Sequence, residues 1–136
     1  MCFVLIVEDN STFRQSLKDM LTLRFPGIAI EEASNEEEVM AALDKMEPDL
    51  VFMDIKLPGR NGLELTKQIK KSNSDVDVVI LTSYDIPEYR EAAFQSGASH
   101  FFTKGVAKSE EIVNVVKTTF ALKGKNLNLC DGAGNS

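Results

Sequence analysis

With 136 residues, the chain has the length of one domain that buries a real core without staples, and its net charge of -6 speaks against a surface built to grip nucleic acid or an anionic membrane. Cys2 and Cys130 lie near opposite ends without the spacing of a disulfide framework or a zinc site, so the expected compartment is reducing and cytoplasmic. The opening residues lack the basic start and apolar length of a signal peptide, and no later stretch approaches membrane-spanning length.

Phe3–Val7 is a continuous apolar run that stops at Glu8 and Asp9, as a buried first strand meets a rim. Asn10 or Ser11 offers an N-cap, and Phe13, Leu17, Met20 and Leu21 recur at helical spacing until Pro26 and Gly27 end the pattern. Residues 28–33 alternate weakly, which suits an edge strand. Ser34 with Glu37 reads as a capping box, and Val39, Ala42, Leu43 and Met46 give the apolar stripe of a second helix before Pro48.

Leu50, Val51, Phe52 and Met53 form an apolar run that breaks off at Asp54 before the turn residues Pro58 and Gly59. Gly62–Ser72 reads as a short third helix with Leu65 and Ile69 inward. Residues 76–81 are another buried strand, ending in the hydroxyls of Thr82 and Ser83. Pro87 suits the first turn of a helix carrying Tyr89, Ala92, Ala93 and Phe94 that Gly97 terminates. Residues 99–103 form the last strand and lead to Lys104, and Ser109 is placed to cap a final helix lined by Ile112, Val115, Val116, Thr119 and Phe120. From Lys123 the pattern stops, and residues 131–136 have the composition of a flexible tail.

Strands alternating with helices through short connections imply an α/β fold, a doubly wound parallel sheet of five strands with five helices. In such sheets the ligand crevice lies outside the carboxyl ends of the strands, which gathers Glu8, Asp9, Asp54, Thr82 and Lys104 at one edge. Carboxylates forced together repel one another unless they protonate or share a divalent cation. Oxygen donors without Cys or His select Mg²⁺, which prefers one or two carboxylates plus a phosphoryl group. A threonine and a lysine facing the metal would complete a clamp for phosphoryl oxygens, and Asp54 can act as the nucleophile that forms an aspartyl phosphate.

The acid pair Glu8-Asp9, the run VFMDIKLPGRNG around Asp54, LTS at Thr82 and the lysine at 104, in this order, resemble the receiver domain of two-component response regulators. The resemblance covers residues 3–122 as a phosphoacceptor domain and implies a flavodoxin-like strand order 2-1-3-4-5. It leaves residues 123–136 as a flexible tail or the start of a linker to an output domain outside this chain. It implies that Asp54 accepts a phosphoryl group from a sensor histidine kinase or phosphotransfer protein. Asp9, Asp54 and the backbone carbonyl of Lys56 would hold Mg²⁺, with Glu8 supporting through water. Thr82 and Lys104 would bind phosphoryl oxygens, Phe101 would be the switching aromatic, and Ser83 the small residue that leaves access to the site. Lys56 and Tyr84, two residues past Asp54 and Thr82, are placed to affect access and the lifetime of the phosphorylated form.

Gly105 stands where the family often has proline, a variant met in the subfamily resembling NarL and LuxR-type regulators, whose members carry a DNA-binding helix-turn-helix domain. The resemblance thus implies a role in transcriptional regulation, contact with DNA only through such a domain, and a possible homodimer through the fourth helix, fifth strand and fifth helix. The alternative is a stand-alone receiver or phosphorelay intermediate. No enzyme activity is expected beyond the chain's own phosphorylation and slow dephosphorylation. A Mg²⁺-dependent hydrolase with an aspartyl-phosphate intermediate generally places a second Asp at the position held here by Lys56. A flavin or nucleotide binder would need a phosphate-cradling loop where Glu8 and Asp9 stand. His100, the one histidine, is expected to be a solvated or hydrogen-bonded residue rather than a phosphorylation site.

Overall fold

Because the inner strands are apolar at consecutive positions, they have to be covered on both faces, and the structure, a computed structural model describing residues 2–127, covers them with helices. The order is β1 (Phe3–Val7), α1 (Ser11–Arg24), β2 (Ala29–Ala33), α2 (Glu36–Lys45), β3 (Leu50–Met53), α3 (Gly62–Ser72), β4 (Asp77–Thr82), α4 (Pro87–Gln95), β5 (His100–Thr103) and α5 (Ser109–Leu122). All pairings are parallel and the strand order is β2-β1-β3-β4-β5, as expected. Successive side chains point to opposite faces, so Val4, Ile6, Leu50, Phe52, Val79 and Leu81 pack with α1 and α5, whereas Leu5, Val7, Val51, Met53, Val78 and Ile80 pack with α2, α3 and α4.

Two helix starts differ from the sequence reading. Asn35, not Ser34, caps α2: its side chain accepts the Glu38 N–H at 2.9 Å, while the Ser34 N–H and hydroxyl both donate to the Glu38 carboxylate rather than engaging Glu37. Two adjacent residues able to cap make the frame ambiguous by one position. At α5 the N-cap is Lys108, whose backbone N–H donates to Glu111 Oε1 at 2.8 Å, and Ser109 is already helical.

Cys2 is buried and disulfide-bonded, which corrects the expectation of no disulfide; Cys130 lies outside the described residues. Separation in sequence misled here because the chain after α5 returns to the start of β1. Lys125 Nζ is 2.8 Å from Asp49 Oδ1, Asp49 Oδ2 accepts the Phe3 N–H at 2.9 Å, and Leu127 packs on the core beneath. The expected tail at residues 131–136 also lies outside the described residues. Among the described residues no helix is long and apolar enough to cross a membrane.

Candidate functional site

The sheet's hydrogen-bond ladder continues one residue beyond the strands, and this sets the site. Glu8 N–H donates to the Ala33 carbonyl at 2.9 Å, Asp54 N–H to the Val7 carbonyl at 3.0 Å and Lys104 N–H to the Thr82 carbonyl at 2.8 Å. Glu8, Asp54 and Lys104 are therefore fixed by backbone at the same carboxyl edge. The strand order reverses between β1 and β3, so the crevice predicted for doubly wound sheets opens between Glu8-Asp9 and Asp54.

Glu8 and Asp54 are buried, Asp9 is exposed, and one oxygen from each lies within 4.8 Å of the others. Lys104 Nζ reaches both buried acids, at 3.0 Å from Asp54 Oδ2 and in an ion pair with Glu8. Asp54 Oδ1 accepts the Ile55 N–H at 2.7 Å, and Glu8 Oε2 accepts the Asn10 N–H at 3.0 Å. Burial pushes the Glu8 carboxyl above its ordinary range, against the pull of Lys104 and the Asn10 N–H, and the neighbouring Asp54 charge pushes the same way. Burial alone would lower Lys104, yet its hydrogen bonds to Glu8 and Asp54 outweigh it and raise the ammonium above its ordinary value. An all-oxygen donor set with two acids sharing one lysine and a third exposed to solvent fits a small hard cation.

Thr82 is fully buried at the end of β4, its hydroxyl oxygen 3.3 Å from the Tyr84 N–H, and Ser83 beside it is exposed. Phe101 is buried against the α3 and α4 side of the sheet, with the Arg90 guanidinium 4.6 Å from its ring centre. Lys56 Nζ sits 5.3 Å from the Tyr84 ring centre and 5.5 Å from that of Tyr89. His100 stacks on Phe102, ring centres 6.1 Å apart, and its Nδ1 lies 3.3 Å from the Ser99 hydroxyl.

Such an edge, with paired acids, a central aspartate and an opposing threonine and lysine, invites comparison with known proteins. The family model described as "Response regulator receiver domain" matches residues 4–117. The chain belongs to the response regulator receiver family. It is 33% identical over 119 residues to response regulator GacA of Pseudomonas aeruginosa, a match covering 87% of this chain and 55% of that protein. The chain thus spans about half the length of the curated relatives it matches. Among solved structures, a two-component response regulator from Clostridium difficile superposes with a TM-score of 0.84 at 25% identity, covering 92% of this chain and all of that one. A LuxR-family response regulator from Aurantimonas superposes at 0.77 with 28% identity, covering 93% and 88%.

Four residues escaped the sequence reading of the site. Phe13 lies under Lys104, its ring centre 4.6 Å from Nζ. Gly62 N–H donates to the Ile55 carbonyl at 2.8 Å, and a Cβ at Gly62 would meet the Asp54 carbonyl oxygen at 1.9 Å. Tyr89 and Arg90 approach Lys56 and Phe101 from α4. Only Gly62 carried a signal in the sequence, a glycine at the first position of a helix.

Proposed function

We propose that the chain is a phosphorylatable switch in which Asp54 accepts a phosphoryl group from a phosphohistidine of a sensor histidine kinase or phosphotransfer protein, with Mg²⁺ required. The observation that carries this reading is the arrangement of Glu8, Asp9 and Asp54 within one ion's reach, with Lys104 bridging the two buried acids. When bound, the metal would supply positive charge against the acids and the incoming phosphoryl group. Asp9, Asp54 and the Lys56 carbonyl would hold it, with Glu8 supporting. An oxygen of Asp54 attacks phosphorus as the bond to the donor imidazole nitrogen breaks, and the electron pair returns to that nitrogen. Lys104 and the Thr82 hydroxyl hold the phosphoryl oxygens. In the phosphorylated state Thr82 moves toward the phosphoryl group and Phe101 repacks, altering the face formed by α4, β5 and α5.

That face is proposed as the contact for a second copy, and the regulated process as transcription, through an output domain of the kind that the length of GacA leaves room for. The protein is proposed to work in the cytoplasm and to catalyse nothing beyond its own phosphorylation and slow dephosphorylation. Intact-mass measurement after treatment with acetyl phosphate and Mg²⁺ tests the reading: wild type gains one phosphoryl group, and Asp54→Ala or excess chelator abolishes it. Undiminished labelling of Asp54→Ala would overturn it.

A further inference from the structure

Lys56 and Tyr89 are 33 residues apart, yet the Lys56 ammonium lies against two aromatic rings, 5.3 Å from the centre of Tyr84 and 5.5 Å from that of Tyr89. The rings meet edge to face, centres 6.3 Å apart at 83°, so the three side chains form one cluster. Its members come from the loop after β3, the loop after β4 and the first turn of α4. Tyr89 also packs at the edge of the core, and Arg90 pairs with Asp85 at 3.1 Å. α4 has no side-chain N-cap, and Ala93 is the one residue it buries fully. Its next residue, Arg90, covers Phe101, so neighbouring positions of α4 touch the loop that follows Asp54 and the aromatic on β5.

We propose that Lys56, Tyr84 and Tyr89 form a latch that fastens α4 to the loop after β3, and that an anion on Asp54 releases it by drawing the Lys56 ammonium away from the rings. The release half rests on Asp54 being the phosphoacceptor. An exposed contact between an ammonium and a ring is worth roughly two- to fivefold in an equilibrium. A phosphoryl group carries close to two negative charges and strong acceptor oxygens, so its pull on a lysine two residues away exceeds that of the rings. The anion has this contact in one state only, which is what a shift between two packings requires. Tyr89 acts here as a positioning residue: it touches no reacting atom and couples α4 to the site through Lys56.

The whole chain supplies its own probe, because Tyr84 and Tyr89 are its only tyrosines and it has no tryptophan. The experiment follows the Lys56 ε-methylene protons by NMR and the tyrosine emission, in Mg²⁺ with and without beryllofluoride, for wild type and Tyr89→Leu. In resting wild type the methylene protons are expected upfield of the free-lysine position by ring current. Beryllofluoride should return them toward that position and change the emission. Tyr89→Leu, which no longer has to break the latch, should bind beryllofluoride about two- to fivefold more tightly. An unshifted methylene in the resting protein overturns the latch. A shifted methylene that beryllofluoride leaves in place, while the Ile55 and Thr82 amides respond, overturns the release. If those amides do not respond at all, the phosphoacceptor reading fails and the release falls with it, whereas the resting ring-current shift still decides the latch.

Discussion

Lys104 Nζ stands 3.0 Å from Asp54 Oδ2 while also pairing with Glu8, so a single ammonium is shared by two carboxylates that the fold buries side by side. Removing it leaves the buried acids facing each other, the situation in which one partner's loss costs most. Lys104→Met keeps the stem over Phe13 and deletes the charge. The expected loss of stability is about 1–3 kcal/mol by urea unfolding, partly restored by Mg²⁺ standing in for the ammonium. Labelling by acetyl phosphate should fall by roughly a hundredfold or more. The wild-type lysine has its folded pKa raised above 10.5, so its contribution is full below that value and lost as pH climbs through the raised one. A variant as stable as wild type at neutral pH would show that Lys104 does not hold the acids together.

Gly62 is placed to matter for a steric reason. A Cβ there would lie 1.9 Å from the backbone oxygen of Asp54, a residue whose own N–H is tied to the Val7 carbonyl of β1. Gly62→Ala is expected to cost about 1–3 kcal/mol or more and to displace the loop after β3. Thermal unfolding together with the rate of labelling at Asp54 checks this. Wild-type values for both would mean that the loop yields freely.

On the far side of the sheet, Glu32 of β2 receives Lys18 Nζ at 2.9 Å and Arg14 Nε at 3.1 Å from α1. The hydrogen bond to Lys18, then that to Arg14, holds its carboxyl below the usual 4.5 in spite of partial burial. A carboxylate lowered in the folded state contributes stability above its unfolded pKa and loses it as pH falls through the lowered value. Glu32→Gln should therefore lose up to about 1 kcal/mol at pH 7 and converge on wild type in acid below that value. Denaturant titrations across the acid range measure the difference, and parallel curves at every pH would exclude this pairing as its source.

The parts of the molecule readable from sequence are those with a local physical signature. Strands buried on both faces give unbroken apolar runs, and the residue that ends each run falls at the sheet edge, so the sequence alone places Glu8, Asp54, Thr82 and Lys104 at one edge. Caps were legible only to within a residue, because Ser34 and Asn35 are both able to cap. What pairs across elements left no trace: Phe13 under Lys104, Arg90 over Phe101 and Tyr89 beside Lys56 depend on how far a helix stands from a loop, which periodicity does not encode.

The position of Lys56 bears on the lifetime of the phosphorylated form. Hydrolysis needs a water in line with the bond to Asp54, and the side chains proposed to obstruct it sit two residues past Asp54 and two past Thr82, at Lys56 and Tyr84. Both are exposed on the crevice loops and touch each other, the ammonium 5.3 Å from the ring centre. Neither is an acid or amide that would orient an attacking water. An ammonium paired with phosphoryl oxygens also stabilises the phosphorylated ground state, which raises the barrier unless the transition state gains equally. Lys56→Asn and Tyr84→Glu are each expected to shorten the half-life, and the double variant to shorten it most, by about tenfold if together they lower the barrier by about 1.4 kcal/mol. Loss of the radiolabelled phosphoryl group at fixed Mg²⁺ measures it. A double variant that loses phosphate no faster than wild type would show that water already reaches Asp54 unhindered and that the two side chains act only on α4.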